Sequence, residues 1–216
     1  MPAVAAENAI TVQNLLAAFE GESNAHAKYT AFATKADEDG LHGAASLFRA
    51  AARAEQIHAA NHARVIGQLG GRAECEIHAA EVKDTLENLK TALAGEQYEI
   101  TTMYPGFLEE ATARKNSRAL RTFTGAFEAE KTHARLYGEV IALLEASQWS
   151  TRTQPTSERL YGEAIDLLEA GKKDSWIIEA RNFYVCPVCG YTSEKENEHG
   201  SCPVCSYAWK KFEVIR

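Results

Sequence analysis

Ala54-Glu55-Gln56-Ile57-His58-Ala59 and, about 75 positions later, Ala129-Glu130-Lys131-Thr132-His133-Ala134 carry the same Glu-x-x-His spacing. Residues i and i+3 of a helix project from one side, so each copy offers a carboxylate and an imidazole to a single point. Both copies lie on stripes of mainly apolar residues at three- and four-residue steps. One stripe is Phe48, Ala51, Glu55, His58, His62 and Val65; the other is Phe123, Phe127, Glu130, His133, Tyr137, Val140 and Leu144. Two further segments repeat the pattern, with Leu15, Phe19, Glu22, His26, Tyr29 and Ala33 in the first and Leu89, Ala92, Glu96, Glu99 and Met103 in the second. Carboxylates therefore interrupt the core side of four helices. A lone Glu-x-x-His in a helical, Glu-rich chain reads as solvated surface. Two on apolar stripes, with stripe glutamates on both other helices, read as metal ligands, because a buried carboxylate costs several kcal/mol unless it is paired or coordinated.

Outward from these motifs, Ala-rich helix-forming stretches are cut by glycine or polar clusters. The first helix spans about Thr11 to Asp39, before Gly40, and the second about His42 to Leu69, before Gly70-Gly71. A third is expected from about Ala79 to Ala113, kinked after Tyr104 because Pro105 lacks a backbone donor. The fourth covers about Ser117 to Ser147. Helices of this length with short connections predict an antiparallel four-helix bundle of the ferritin-like kind, in which Glu residues and Glu-x-x-His pairs converge on two metal ions. Three regions are expected: the bundle at 1–147, a linker at 148–181 with a short helix from Glu158 to Ala170, and a small β module at 182–216.

The chain has 216 residues, 45% hydrophobic and 25% charged, enough for one core and a small appended module. No run approaches the ~20 apolar residues of a membrane span, and Met1 to Gln13 lacks the basic and apolar regions of a secretory signal, so a soluble, cytoplasmic protein is expected. The net charge is −7 with no basic stripe, which argues against nucleic acid and anionic membrane as partners. From Asn182 onward four basic and four acidic residues balance, so the excess acid lies upstream, with the helices.

Hard oxygen donors and imidazole suit iron or manganese. Glu22, Glu55, Glu96, Glu99 and Glu130 with His58 and His133 supply five carboxylates and two imidazoles, and two divalent ions would leave a charge of about −1. Glu20, Glu87, Glu109, Glu110 and Glu128 fall off the stripes and read as solvated. His26 and His62 lie on the stripes without a carboxylate at ligand spacing and read as packed side chains or as partners of ligands; Tyr29 and Tyr104 read as core residues able to hydrogen-bond a ligand. Cys186-Pro187-Val188-Cys189 and Cys202-Pro203-Val204-Cys205 form a tetrahedral four-sulfur site that suits one iron or a zinc ion. A module of about 35 residues is too small for much core and needs that metal to fold. Iron is favoured over structural zinc because an electron-transfer site has a use beside a redox centre. Cys75 reads as an incidental free thiol.

Gly21-Glu22-Ser23, Glu55-x-x-His58, Gly95-Glu96-x-x-Glu99, Met103-Tyr104-Pro105-Gly106-Phe107, Glu130-x-x-His133 and the paired CPVC loops occur in the order seen in rubrerythrins, which nearly the whole chain resembles. The resemblance implies a di-iron bundle with a C-terminal rubredoxin-like domain. It implies that Glu55 and Glu130 bridge the irons, that Glu22 and Glu99 complete one and Glu96 and His133 the other, and that His58 replaces Glu99 on reduction. Tyr29 and Tyr104 correspond to tyrosines hydrogen-bonded to ligands. The implied activity is reduction of hydrogen peroxide to water and protection against oxidative stress, with electrons from a reductase, NAD(P)H-linked, or a rubredoxin. A bundle-to-tail path of about 25 Å, estimated from helix rise, predicts a head-to-tail homodimer in which one chain's tetracysteine iron serves the other's di-iron centre. Ser206, where the family usually has glycine, and a helix within the linker depart from the pattern. The competing readings are a ferritin-like iron-oxidising and storage protein and a di-metal bundle with a structural zinc ribbon.

Overall fold

The computed structural model describes residues 4–152, 175–196 and 200–216. A 3-10 turn at Ala6–Asn8 leads into α1 (Ala9–Glu38), followed by α2 (His42–Gln68), α3 (Thr85–Tyr98), a π-helical turn (Glu99–Met103), α4 (Tyr104–Ala113) and α5 (Ser117–Arg152). Strands β1 (Phe183–Val185), β2 (Thr192–Ser193) and β3 (Glu213–Ile215) form an antiparallel sheet in the order β2-β1-β3, with Tyr184 opposite both Ser193 and Val214. No helix among the described residues is long and apolar enough to cross a membrane.

Residues 39–41 turn α1 back along α2, with Gly40 at φ +74°, a left-handed conformation that a Cβ disfavours. Residues 114–116 do the same between α4 and α5. The remaining connection, 69–84, is a crossover. It leaves beside the start of α1, where a Cβ on Gly71 would meet Val12 Cγ1 at 3.1 Å. It passes Asn24, whose side chain donates to Glu76 O at 2.9 Å and accepts from His78 N at 2.8 Å, and it ends at Asp39, which accepts from Thr85 Oγ1 at 2.7 Å. The chain is thus carried along the length of α1, and α3 and α4 run parallel to α2 but antiparallel to α1 and α5. One long crossover of this kind is a mark of ferritin-like bundles.

Three boundaries differ from the sequence expectation. The third helix begins at Thr85, not near Ala79, because the side chains of Asn24 and Asp39 bind the backbone of 76–85 and Asp84 caps the helix by accepting from Glu87 N. The last helix runs on to Arg152, past Ser147, since no glycine or proline intervenes before Pro155. At Pro105 a π-turn takes the place of a simple kink: Tyr104 N–H bonds Glu99 O, five residues back, and Pro105 enters the first turn of α4, where its missing donor is harmless. The expected linker helix, Glu158 to Ala170, lies outside the described residues; 175–178 are helical.

Along α1, α2 and α5 the ligand candidates lie between two apolar clusters. Val12, Leu15, Ile66, Tyr104 and Phe123 belong to one cluster, and Phe32, Phe48, Leu89, Tyr137 and Val140 to the other. Ile177, Phe183 and Val185 join the second, so the strand module shares core with the bundle. It lies along α2: Arg53 forms a two-pronged ion pair with Glu213 at 2.6 and 2.8 Å, Asn61 Nδ2 donates to Val188 O at 2.8 Å, and Arg181 N donates to Ser46 Oγ at 3.1 Å. The module's own core is small, formed by Cys186, Cys189, Cys202, Trp209 and Phe212, with the last two rings stacked 4.0 Å apart.

Candidate metal centres

Between the two apolar clusters, Glu22 of α1, Glu55 and His58 of α2, Glu96 of α3, and Glu130 and His133 of α5 meet in one layer, none more than 1% exposed. They form two groups in which each residue offers a ligand atom within 4.8 Å of the others: Glu22, Glu55, His58 and Glu130, and Glu55, Glu96, Glu130 and His133. Glu55 and Glu130 belong to both, the position of bridging carboxylates. Glu22 Oε2, Glu55 Oε1, Glu96 Oε2, both Glu130 oxygens and His133 Nδ1 have no hydrogen-bond partner although they are buried. Buried anions without donors persist only where a cation binds them, so the donor set fits two ions of the hard, oxygen-preferring kind.

The outer carboxylate oxygens are held by phenols. Tyr29 O–H donates to Glu96 Oε1 at 2.6 Å, and Tyr104 O–H donates to Glu22 Oε1. Tyr104 oxygen lies 3.1 Å from His62 Nε2, and Thr122 Oγ1 is 3.0 Å from His62 Nδ1. With its proton spent on Glu22, Tyr104 accepts from His62 Nε2–H, and Thr122 donates to Nδ1. Burial pushes Glu55, Glu96 and Glu130 above the usual carboxylate range. Burial alone would do the same to Glu22, but the imidazoles of His58 and His62 beside it outweigh burial and hold that carboxyl well below its ordinary value. Desolvation works against charge on His58 and His133, yet the surrounding carboxylates overcome it and hold both imidazoles well above their usual range.

All four module cysteines are free thiols, with Sγ–Sγ distances of 3.6 Å for Cys186–Cys205 and for Cys189–Cys202. Metal–sulfur bonds of about 2.3 Å in a tetrahedron place sulfurs roughly 3.8 Å apart, so the cluster fits a single ion. Hydrogen bonds from Cys186 and Cys189 pull Cys202 down to about 2, whereas those of Cys186 and Cys202 drive Cys189 far up. Cys202 thus forms a thiolate easily, while Cys189 needs a cation to do so. The two loops share a conformation: Cys186 N bonds Tyr191 O and Cys202 N bonds Tyr207 O, with Gly190 at φ +76° and Ser206 at φ +62°.

The two candidate sites touch. His58 Nε2 lies 3.0 Å from Cys189 O, and His133 Nε2 lies 3.1 Å from Thr192 Oγ1. A Cβ on Gly190 would approach His58 Nε2 to 2.1 Å, so only glycine seats this loop against the bundle. The expected gap of about 25 Å is therefore wrong for this chain: that estimate set the module beyond the end of the last helix, whereas it folds back along α2.

Of the expected di-iron ligands, only Glu99 stays outside both buried groups; it is half-buried on the π-turn, and burial raises its carboxyl well above the usual range. His26 packs as expected, its Nδ1 2.7 Å from Ala52 O. Glu20, Glu87 and Glu109 are exposed, while Glu110 and Glu128 are half-buried, Glu110 through contacts with Thr11, Asn14 and Arg114. Cys75 is a half-buried thiol in the crossover. Thr192, bonded to His133 of the layer, and Thr122, bonded to His62 beside it, escaped sequence reasoning, because no spacing links Thr192 to His133 or Thr122 to His62.

Fold and site together define a ferritin-like helical bundle with a carboxylate–histidine di-metal site and an appended tetracysteine module. The family model described as Rubrerythrin matches residues 13–141. Rubrerythrin-2 of Clostridium acetobutylicum is 31% identical over 97% of this chain and 98% of its own length, and nigerythrin of Nitratidesulfovibrio vulgaris is 35% identical over 90% of this chain and 81% of its own. A structure of nigerythrin in its fully reduced, all-ferrous state superposes with a TM-score of 0.73 at 32% identity, covering 94% of this chain and 86% of that one. The chain belongs to the rubrerythrin family.

Proposed function

We propose that this protein is a cytoplasmic di-iron peroxidase that reduces hydrogen peroxide to water, with electrons passed from a separate NAD(P)H-linked reductase or a rubredoxin through iron in the tetracysteine site. The observation that carries this reading is the 3.0 Å contact between His58 Nε2 and Cys189 O, which joins a ligand candidate of one site directly to a cysteine of the other. A storage protein has no use for such a junction, and a zinc ribbon would offer no electron.

Two irons in the buried layer would supply the two electrons that peroxide needs, one from each. The chain does the rest. Glu55 and Glu130 would be shared by the two ions, with Glu22 and His58 holding one and Glu96 and His133 the other, a reading supported by the two groups of buried ligand atoms. Tyr29 and Tyr104 fix the outer oxygens of Glu96 and Glu22 by donating hydrogen bonds. Glu99, carried on the π-turn, would be the alternative to His58 as a ligand in the oxidised centre, and Glu99 and Tyr104 are the groups placed to hold protons for the departing oxygens. The apolar clusters on both sides exclude bulk water. Head-to-tail homodimerisation remains part of the proposal, although electron transfer through the contact within one chain does not require it.

Aerobically purified protein should be red, bleach with reductant under argon, and recolour as two electrons are consumed per added peroxide. A colourless, zinc-containing protein that leaves peroxide untouched would defeat the proposal.

A further inference from the structure

We infer that Thr192 is a positioning residue of the di-metal centre: by accepting from His133 it makes the docked cysteine module, and not the bundle alone, orient an imidazole ligand of the centre. The inference rests on the buried layer binding two metal ions.

The hydrogen-bond directions are forced. Gly190 O can only accept, so Thr192 spends its hydroxyl proton on that carbonyl, 3.0 Å away. Thr192 Oγ1 is then left as an acceptor, and His133 Nε2, at 3.1 Å, must carry the proton. In the neutral imidazole this leaves the lone pair on Nδ1, which lies 2.7 Å from Glu130 Oε2 and 3.3 Å from Glu55 Oε1, inside its ligand group. The same logic applies to His58. Cys189 O can only accept, so His58 Nε2 is protonated and Nδ1 faces Glu55 Oε2 and Glu130 Oε1, each at 2.9 Å.

Each group of four contains one histidine, and the Nε2 of each is bound by the same short stretch of the module, Cys189 to Thr192. Thr192 is fully buried, so no solvent replaces its hydroxyl. At a buried strand position valine would pack equally well, which leaves the hydroxyl to be explained by His133. Because an oriented imidazole binds metal better than a free one, module docking and metal loading strengthen each other reciprocally. The cysteine loop is then a template for the site it serves as well as a neighbour.

The test is anaerobic ferrous-iron titration of the full chain against a competing chelator, in wild type, Thr192→Val and Thr192→Ser. Thr192→Val should lose about 10- to 100-fold in affinity at the bundle sites, and Thr192→Ser should recover most of that loss, while the tetracysteine absorption stays unchanged in both. In the cobalt(II)-loaded protein, two exchangeable, shifted imidazole N–H signals are expected. Thr192→Val should speed the exchange of one and leave the other, and Thr192→Ser should restore it. Undiminished affinity with both signals intact in Thr192→Val, or a serine variant as weak as the valine one, overturns the inference. Wild type that takes up no ferrous iron beyond the cysteine cluster overturns the di-metal reading itself, and this inference with it.

Discussion

Gly190→Ala probes the junction between the two sites. The added Cβ would stand 2.1 Å from His58 Nε2, and ordinary contact begins near 3.4 Å, so the loop must retreat by at least 1.3 Å. Added to the present 3.0 Å, that retreat takes Cys189 O beyond hydrogen-bonding range of His58. Leaving a buried imidazole N–H without a partner costs about 1–3 kcal/mol, and left-handed backbone costs a residue with a Cβ a further ~1–2 kcal/mol. Docking should therefore weaken by about 2–5 kcal/mol, roughly 30-fold to several thousandfold. Ser206 separates the two contributions, because it already holds φ +62° at the equivalent place in the sister loop, where it is exposed. The module thus tolerates the backbone strain by itself, and Ser206→Gly should leave transfer unchanged. Anaerobic stopped-flow absorption of the tetracysteine site after peroxide addition reads electron transfer, and amide exchange in α2 around His58 reads docking. If Gly190→Ala kept both the wild-type rate and the wild-type protection, the junction described here would not be the electron route.

Tyr104→Phe removes the proton donated to Glu22 and leaves His62 Nε2 without its acceptor; a loss of about 1–3 kcal/mol should appear as a lower Tm, with helix content unchanged. Glu99→Ala should slow peroxide turnover while the red colour persists, since Glu99 lies apart from the cysteine cluster; unaltered turnover counts against its exchange with His58. The Arg53–Glu213 pair is about one-third exposed, so Arg53→Met should weaken docking by less than ~1 kcal/mol. The hydrogen bond from Arg53 holds the Glu213 carboxyl below its ordinary 4.5. A carboxyl lowered in the folded state stabilises above its unfolded value and loses that contribution as pH falls through the folded one. The difference in amide protection between wild type and Arg53→Met should therefore be present at neutral pH and shrink only below pH 4.5; a constant difference down to strongly acid pH would contradict the pairing.

The helices and their ligands were legible because they are periodic. Glu55, His58, Glu130 and His133 fall on stripes fixed by helical geometry, as do Glu22 and Glu96, and a buried carboxylate has few explanations. Glycines 40 and 70 marked helix ends for an equally local reason. The start of α3 was misplaced because the side chains that bind the backbone of 76–85, Asn24 of α1 and Asp39 just after it, lie far upstream. Docking of the cysteine module was illegible for the same reason: Arg53 with Glu213, Asn61 with Val188, and His133 with Thr192 are pairs distant in sequence, and no period links them. Spacing brought in Glu99 as a fifth carboxylate, and the resemblance added its exchange with His58.

The π-turn at Glu99–Met103 has a mechanical consequence. Such a turn holds one residue more than regular helix, and ordinarily that surplus could migrate along the helix like a wrinkle. Pro105 blocks it, because tightening the register ahead of α4 would ask its nitrogen to donate to Thr101. The slack is trapped between a ring without an N–H and the ligand candidate Glu96, and Glu99 is its first residue. A carboxylate mounted there can swing on a joint that already exists, while Glu96, one turn earlier on regular helix and pinned by Tyr29, stays still.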